Sequence, residues 1–137
     1  MRAYIGGTFD LLHPGHLKLF RFAKQRRYDV FVVVNTDEFV LRYKGKLPVM
    51  NFKHRVELLS ALKDVDCVYP NVGDENSKPS IRMVKPDVII AGSDWTKERL
   101  MQQMGLTHEF LCEHMIDIVI FKDSDPIHSS DIRKRIV

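Results

Sequence analysis

Cysteine is scarce in this sequence, and long hydrophobic runs are missing. The 137 residues include two cysteines, Cys67 and Cys112, without the paired spacing of zinc sites or redox-active thiols. We therefore interpret both as small, buried apolar side chains. No apolar run approaches the ~20 residues of a membrane helix, and a strand pattern at the N-terminus leaves no room for a signal peptide. These absences predict a cytoplasmic protein with reduced thiols and no membrane partner.

The net charge of the sequence is also small. The sequence has 21 Lys and Arg residues against 18 Asp and Glu residues, which leaves a net charge of +3. A charge this small does not require a nucleic acid or a membrane surface as partner. Basic side chains concentrate locally, at 18–27 and 133–135, and we interpret the first cluster as a solvated helix face. We therefore expect no nucleic-acid partner.

The remaining composition predicts one globular domain over residues 1–137. Hydrophobic residues make up 45% of the chain, enough for a core but not for a second domain. Strand and helix patterns alternate along the sequence, which is typical of a parallel sheet with helices on both faces. We expect strands at 3–5, 30–34, 65–69, 87–91 and 116–121, and helices from Pro14 and over 51–62, 80–85, 97–104, 107–114 and 131–136. The fold class is therefore α/β, a Rossmann-like doubly wound sheet.

The junction between the first strand and the first helix, residues 6–16, carries the strongest functional signal. Gly6 and Gly7 permit a close backbone approach, and Pro14 suits the first position of a helix. A helix N-terminus offers unpaired N–H groups and a partial positive charge, which favour an anion. His13 and His16 are three residues apart, so both imidazoles lie on one side of the first turn. The junction therefore predicts a phosphate site with two histidine donors.

Two other interpretations of this junction remain open. The glycines could form an ordinary turn beside surface histidines, or Asp10, His13 and His16 could ligate a metal. The metal interpretation is the weaker one because the spacing is not the His-Glu-x-x-His of zinc hydrolases. We prefer the phosphate site because glycines, Thr8, Asp10 and two spaced histidines coincide at one strand-to-helix junction. No metal ligand is therefore assigned within the protein.

Residues 7–16, Gly-Thr-Phe-Asp-Leu-Leu-His-Pro-Gly-His, closely resemble the signature of the nucleotidyltransferase superfamily that includes the cytidylyltransferases. The chain resembles most the bacterial glycerol-3-phosphate cytidylyltransferases, which are about the same size. The resemblance implies transfer of a nucleoside monophosphate from a triphosphate to a phosphorylated small molecule, with release of pyrophosphate. It assigns catalysis to His13 and His16, nucleotide binding to Gly7, Thr8, Phe9, Asp10 and both histidines, and Mg²⁺ to the triphosphate. Asp10 is a candidate for a role near that ion.

Basic residues further along the chain extend the resemblance. Residues 42–48 predict a basic loop, because Gly45 and Pro48 argue against regular structure. Lys44 and Lys46 resemble a phosphate-binding lysine of the family, and which of them is equivalent stays open; we assign Lys44 to catalysis and both to substrate binding. Arg55 resembles an arginine that the family uses on phosphate, and it is a second substrate-binding candidate.

Two later motifs resemble the family's nucleotide pocket. Gly92, Asp94 and Trp95 match Gly-Asp-Asp-Trp, and this implies that Gly92 and Asp94 bind nucleotide while Trp95 covers the substrate. Near the C-terminus the matching residues are Ile127, Ser129 and Ser130. Asp123 stands where the family carries an arginine close to the base. The base is therefore the least determined part of the prediction.

Three functions follow from these observations. We expect transfer of CMP from CTP to a small phosphorylated alcohol such as glycerol 3-phosphate, because Asp94 could accept from the cytosine amine and Trp95 could wall the pocket. The alternative is an adenylyltransferase that uses ATP with a sugar phosphate, phosphopantetheine or a flavin phosphate, which Asp123 keeps open. A nucleotide-binding module without turnover is the third. We also expect a homodimer, in which Phe39, Phe52 and Leu47 supply apolar surface.

Overall fold

A computed structural model describes residues 1–73 and 76–123. Its elements follow in the order β1 Arg2–Gly7, α1 Pro14–Gln25, β2 Asp29–Val34, α2 Asp37–Lys44, α3 Phe52–Ser60, β3 Cys67–Pro70, α4 Lys78–Val84, β4 Val88–Gly92, α5 Lys97–Met104, α6 His108–Glu113 and β5 Asp117–Phe121. The strands form one parallel sheet in the order β3-β2-β1-β4-β5. The predicted α/β class is confirmed.

The central strand β1 has an apolar core on each of its faces. Ala3 pairs with Val30 of β2 on one side and with Val88 of β4 on the other. Its side chain and that of Ile5 join the core that contains residues of α1 and α3. Tyr4 points the opposite way and joins the core with residues of α4, α5 and α6. Alternation along a strand that is buried on both sides thus explains the continuous apolar pattern.

The order of the strands creates a crevice at one edge. The chain builds outward from β1 to β2 and β3, then returns to place β4 on the other side of β1. In such open sheets a cleft opens beyond the carboxyl ends of the strands where the direction of winding reverses. The β1–α1 connection and the β4–α5 connection lie on the two sides of that point.

Polar side chains cap the start of two helices, and the end of α2 corrects the loop expected at 42–48. Thr36 caps α2 and Asn51 caps α3, each by accepting a hydrogen bond from a backbone N–H three residues on. The predicted basic loop at 42–48 is wrong in its first half, because α2 continues through Lys44. Gly45 adopts φ 76° as the left-handed residue that ends the helix, so it marks the helix end rather than the middle of a loop.

Some further expectations change. Cys67 is half-buried and Cys112 is exposed on the outer side of α6, so the prediction that both are buried is wrong. Helix α4 begins at Lys78, two residues earlier than expected. The predicted helix over 131–136 lies outside the described residues. Among the residues described, no helix combines the length and apolar character needed to cross a membrane.

Candidate active site

A cavity of about 280 Å³ lies at the crevice between β1 and β4. Its walls include side chains from β1, the β1–α1 connection, α2, the β4–α5 connection and α5. The predicted site residues that line it are Gly7, Thr8, Phe9, Asp10, His16, Lys44, Asp94 and Trp95. Residues that the sequence separates by almost ninety positions therefore share one cavity.

The two histidines form the cap of helix α1. The Nδ1 atom of His13 accepts a hydrogen bond from the Gly15 N–H at 3.1 Å, and Nδ1 of His16 accepts from the His13 N–H at 3.1 Å. The two side chains thus form a reciprocal capping box. Their rings stack with centroids 3.9 Å apart. The predicted placement of both imidazoles at the first turn is confirmed by this geometry.

The same hydrogen bonds correct the expectation of unpaired backbone donors at this helix. Pro14 has no N–H, the His13 and Gly15 N–H groups donate to the imidazoles, and the His16 N–H donates to the His13 carbonyl at 3.0 Å. A backbone N–H is always a donor, so each Nδ1 is an acceptor and the proton of a neutral ring stays on Nε2. Each imidazole therefore takes up a backbone donor, and the ring of His16, which lines the cavity, carries its proton on Nε2.

Burial keeps His16 neutral. Desolvation, followed by the charge of nearby His13, lowers the pKa of His16 from 6.5 to about 4. At neutral pH the ring is an uncharged hydrogen-bond donor. The edge of its ring meets the Phe9 ring with centroids 5.5 Å apart, and this contact fixes its plane. The site can therefore donate to phosphate oxygens without first changing its protonation.

The β1–α1 connection is strained and is held from outside. Phe9 and Leu11 both adopt left-handed backbone conformations, with φ 54° and 53°, which cost a non-glycine residue about 1–2 kcal/mol. The Asp10 carboxylate accepts the backbone N–H groups of Val49 and Met50 at 2.7 and 2.9 Å. Asp10 is 4% exposed and ties this connection to the segment before α3. This geometry favours a positioning role for Asp10.

Arg55 is the largest fully buried side chain near the site. It is 1% exposed, and its guanidinium donates to the carbonyls of Thr8, Asn35 and Met50 at 2.7 to 3.0 Å. A further Arg55 nitrogen pairs with the Asp37 carboxylate at 2.7 Å. The expected phosphate contact of Arg55 stays a prediction that this geometry disfavours, because the guanidinium faces protein groups. Arg55 instead holds together three connections around the cavity.

The two candidate lysines differ in position. Lys44, the last residue of α2, lines the cavity, and its amino group lies 5.6 Å from the centre of the Tyr43 ring. Lys46 lies beyond Gly45 and is absent from the described wall of the cavity. The position of Lys44 favours it over Lys46 as the phosphate-binding lysine.

A chain of polar side chains forms the floor of the cavity, and the sequence gave no sign that Asn71 and Ser80 belong to it. Asn35 donates to Thr8 Oγ1 at 3.3 Å, Asn71 donates to Asn35 Oδ1 at 3.0 Å, and Ser80 donates to Asn71 Oδ1 at 2.9 Å. Tyr4 is hydrogen-bonded to Ser80, and burial raises the pKa of its hydroxyl far above the usual 10. These bonds join the ends of β1, β2 and β3 beneath the phosphate-facing residues.

The β4–α5 connection supplies the opposite wall. Gly92 ends β4, while Asp94 and Trp95 line the cavity. The Trp95 N–H donates to the Gly92 carbonyl at 3.1 Å, which turns the chain so that Trp95 packs against the adjacent core. Ile127, Ser129 and Ser130 lie outside the described residues. Asp123, which stands where the resembling family has arginine, pairs with Lys18 of α1 at 3.3 Å.

The described residues offer Mg²⁺ few protein ligands. Within 1–73 and 76–123, no group of three His, Cys, Asp or Glu side chains could hold a metal ion. Both Asp10 oxygens accept backbone N–H groups. Magnesium commonly keeps several waters and binds through substrate phosphates with one or two carboxylates. An ion carried by the nucleotide therefore stays an expectation of the family resemblance.

Comparisons with known proteins identify the family. The cytidylyltransferase-like family profile matches residues 4–135. The chain is 33% identical over 141 residues to the FAD synthase of Pyrococcus abyssi, covering 99% of this chain and 92% of that protein. It is 37% identical over 116 residues to the FAD synthase of Pyrococcus horikoshii, covering 81% of this chain and 78% of that protein.

The fold is also similar to a solved structure, the lipopolysaccharide core biosynthesis protein of Thermoplasma volcanium GSS1. The TM-score is 0.70 at 27% identity, and the match covers 93% of this chain and 98% of that one. The profile match includes the β1–α1 histidines and the β4–α5 wall of the cavity. The chain therefore belongs to the cytidylyltransferase-like family, and it is a nucleotidyltransferase.

Proposed function

We propose that this protein transfers AMP from ATP to the phosphate of FMN and so forms FAD. The observation that carries the proposal is the likeness to two FAD synthases, one of which matches 99% of this chain. FAD consists of FMN joined to AMP through a pyrophosphate link, so an adenylyl transfer forms it in one step. This proposal takes the adenylyl alternative of the sequence interpretation in preference to CTP and glycerol 3-phosphate.

The reaction needs positioning and charge stabilisation more than covalent chemistry. An oxygen of the FMN phosphate attacks the α-phosphorus of ATP, a new P–O bond forms, and the bond to the bridging oxygen breaks to release pyrophosphate. Negative charge increases on the phosphoryl oxygens in the transition state. We assign the Nε2–H of His16 as a donor for those oxygens and expect the same of His13, since each Nδ1 accepts a backbone N–H. We assign Lys44 as a cation for the same charge and expect no covalent enzyme intermediate.

Magnesium would reduce the charge of the triphosphate as the nucleotide binds. Asp94 at the mouth of the cavity is the described carboxylate that we assign to the nucleotide, as acceptor for a base amine or a ribose hydroxyl. Gly7 and Thr8 approach the phosphates with little steric bulk, and Phe9 supports the His16 ring. Ile127, Ser129 and Ser130 stay predicted nucleotide contacts.

A second candidate function is CMP transfer from CTP to glycerol 3-phosphate. The Gly92, Asp94 and Trp95 motif favours it, since it resembles the glycerol-3-phosphate cytidylyltransferases. Asp94 cannot separate the two nucleotides, because cytosine and adenine both carry an exocyclic amine. The acceptor therefore discriminates the two functions more clearly than the base does.

A pyrophosphate-release assay tests both functions. ATP and CTP are each combined with FMN, glycerol 3-phosphate, a sugar phosphate and phosphopantetheine in the presence of Mg²⁺. We expect the fastest release with ATP and FMN, together with FAD as the product on chromatography. Faster release with CTP and glycerol 3-phosphate would replace the proposal with the second candidate. Release from no pair, combined with nucleotide binding, would favour a module without turnover.

Self-association also stays a proposal. Of the apolar residues expected at a dimer surface, Leu47 is 61% exposed, but Phe39 is 7% exposed and lines the cavity. Phe39 is therefore removed from the proposed surface, which keeps Leu47 and the half-buried Phe52. Sedimentation at micromolar concentration would show a dimer if the proposal holds and a monomer if it does not. A cytoplasmic location is likewise proposed on the sequence evidence alone.

A further inference from the structure

A second cavity of about 640 Å³ lies beside the first, between helices α2 and α5. It has no part in the phosphate chemistry described above. We call this second space the outer cavity. Its walls include Arg42, Tyr43, Trp95, Arg99, Gln102 and Gln103. With Phe39, three aromatic rings, two guanidinium groups and two amides therefore surround one space, and this composition is unlike that of an ordinary solvated surface.

The outer cavity is continuous with the inner cavity that contains His16. Tyr43, Trp95, Gln103 and Phe39 line both spaces. The inner cavity, at about 280 Å³, is at the lower limit of volumes usual for small-molecule sites, roughly 300–1,000 Å³. A small phosphorylated alcohol would fit inside it. An acceptor with a phosphate at one end and a large ring at the other would extend past Tyr43 and Trp95 into the outer cavity.

The orientation of Tyr43 is set by its neighbours. Its ring meets the edge of the Phe39 ring, with centroids 5.2 Å apart. Its hydroxyl lies 3.4 Å from Oγ1 of Thr8. Tyr43 thus connects the outer cavity directly to the β1–α1 connection, while 42% of it stays exposed to a ligand. A ring that is already ordered loses little side-chain entropy when a ligand stacks on it.

Trp95 is held on the other wall. It packs partly against the core below, and the Arg99 guanidinium lies 5.5 Å from the centre of its ring. Arg99 also donates to the Asp94 carbonyl at 3.3 Å. A guanidinium beside an indole can stack with a flat ligand and donate hydrogen bonds to carbonyl oxygens at the ligand's edge. The two glutamines add amide donors and acceptors.

This chemistry suits a flat heteroaromatic ring with carbonyl groups on its edge. A simple anion would use the arginines but would leave the aromatic faces without a function, whereas a sugar phosphate is too small to reach them. We propose that the outer cavity binds the isoalloxazine ring of FMN, with Tyr43 and Trp95 contacting the ring and Arg99 donating to its carbonyl edge. The inference rests on the proposed function, and it identifies the residues that select a flavin over a small acceptor.

Flavin binding can be measured directly because Trp95 is the single tryptophan of the chain. In the wild type, FMN and riboflavin should both quench Trp95 emission. The dissociation constants of the Trp95→Leu and Tyr43→Leu variants are measured by the fluorescence of the flavin itself. We expect each variant to bind FMN and riboflavin about tenfold more weakly, as for the loss of one aromatic stacking contact. Binding of ATP and of glycerol 3-phosphate should change less than twofold.

Arg99 has a matched control on another part of the surface. Arg82 is also an exposed arginine beside an aromatic ring, 5.7 Å from the centre of Phe110, and it lies outside both cavity walls. Arg99→Ala should weaken riboflavin binding about threefold or more, since a charged donor to a carbonyl is lost. Arg82→Ala should leave it unchanged. Circular dichroism of each variant verifies that the fold is retained.

The outcomes separate the ring site from the proposed function. If wild type forms FAD while Trp95→Leu and Tyr43→Leu bind flavins with wild-type affinity, the ring site is wrong and the proposed function stands. If riboflavin binding depends on both aromatics but ATP and FMN give no FAD, the function is wrong and the ring site stands. An equal loss of ATP and FMN affinity in Trp95→Leu would place Trp95 at the nucleotide and overturn the inference.

Discussion

The two connections that form the walls of the inner cavity are stabilised in different ways. The β1–α1 connection is tied to distant parts of the chain, through Arg55 to Thr8, Asp10 to Val49 and Asn35 to Thr8, across 27 to 47 residues. The β4–α5 connection is held by local bonds that span three to five residues.

Helices α1 and α5, which follow these two connections, also differ in how their N-termini are capped. Helix α5 is capped by Thr96, whose hydroxyl accepts the Arg99 N–H, as Thr36 and Thr107 do for α2 and α6. Helix α1 is capped by His13 and His16, and the ring of His16 also lines the cavity. A hydroxyl cap completes a helix, whereas we expect the His16 cap to donate to a ligand as well. The comparison indicates a wall held by long-range bonds opposite a wall whose described bonds are local, and we expect the second to adapt more readily to a ligand.

Removing the long-range ties of the first connection should have the largest effect. Arg55→Met removes the donors to three carbonyls and leaves the Asp37 carboxylate without its guanidinium. We expect a loss of about 3–5 kcal/mol in the free energy of unfolding, because three carbonyls around this fully buried side chain lose their donors. Urea unfolding of the variant measures it.

Lys24→Met is the matched control for this change, because it breaks an ion pair with Asp66 that is exposed on both sides. Such pairs contribute about 0–1 kcal/mol. Equal losses in the two variants would contradict the structural role of Arg55. If Arg55→Met does not fold, Arg55→Lys is the second variant, because lysine keeps the charge but not the planar guanidinium with its several donors. Its free energy of unfolding should still fall clearly more than that of Lys24→Met.

Removing the donor that His16 offers should mainly affect turnover. His16→Ala should lower kcat by roughly 10²- to 10³-fold, the usual effect of losing one preorganised transition-state donor. Substrate binding should weaken less. His114→Ala is the control, since the His114 ring likewise bonds a backbone group, the Phe110 carbonyl, and packs on an aromatic ring, yet His114 is the C-cap of α6. A folded His16→Ala enzyme with wild-type kcat would show that the assignment is wrong.

The neutral state of His16 predicts a specific pH dependence of stability. Its pKa is about 4 in the folded protein against 6.5 as the ordinary value, so between these values the unfolded chain binds more protons. Stability should therefore fall as the pH falls from 6.5 to 4, by at most about 1.4 kcal/mol per pH unit from this group.

Urea titrations of wild type and His16→Ala between pH 7 and 4 isolate this contribution. Histidines away from this pair contribute to both proteins, so the difference in slope belongs to His16 together with its charge coupling to His13. The pKa of Asp66 is lowered from its ordinary value of 3.8, so the contribution of this carboxylate to stability changes below that pH, outside the range of the titrations. Parallel profiles for the two proteins would contradict the buried, neutral His16.

Changing the Thr96 cap of α5 should have the smallest effect on stability and turnover. Thr96→Ala removes the acceptor of the Arg99 N–H, with an expected cost of about 1 kcal/mol in unfolding free energy. Turnover should stay within about twofold, because the hydroxyl passes no donor into the cavity. A fall in kcat comparable to that of His16→Ala would erase the distinction between the two caps.

Local signals allowed much of this arrangement to be predicted from sequence. Pro14 at the start of α1, Asn51 as a cap and the span of α5 follow from residue preferences within one turn. The parallel sheet followed from alternating patterns. The two histidines were placed correctly at the first turn because their spacing and the position of the proline fix that turn.

Other features depend on partners that local sequence does not indicate. Arg55 carried no sign that it is buried, because its carbonyl partners come from three separate connections. Asn71 lies in a stretch typical of a loop, yet its amide is buried against Asn35. The loop predicted at 42–48 took in the last turn of α2 because Gly45 has the same composition signal in a loop and at a helix end. Such positions are decided by tertiary packing.

The left-handed backbone at Leu11 has a consequence for laboratory evolution. Replacing Leu11 by glycine removes about 1 kcal/mol of conformational strain, and it gives a connection whose shape is no longer enforced. The freedom that glycine gives the unfolded chain and the loss of a half-buried side chain offset this gain, so a library selected only for survival on heating should tolerate Leu11→Gly, while one selected for product should discard it. Directed evolution under the two selections would thus diverge at this single codon, two residues before His13.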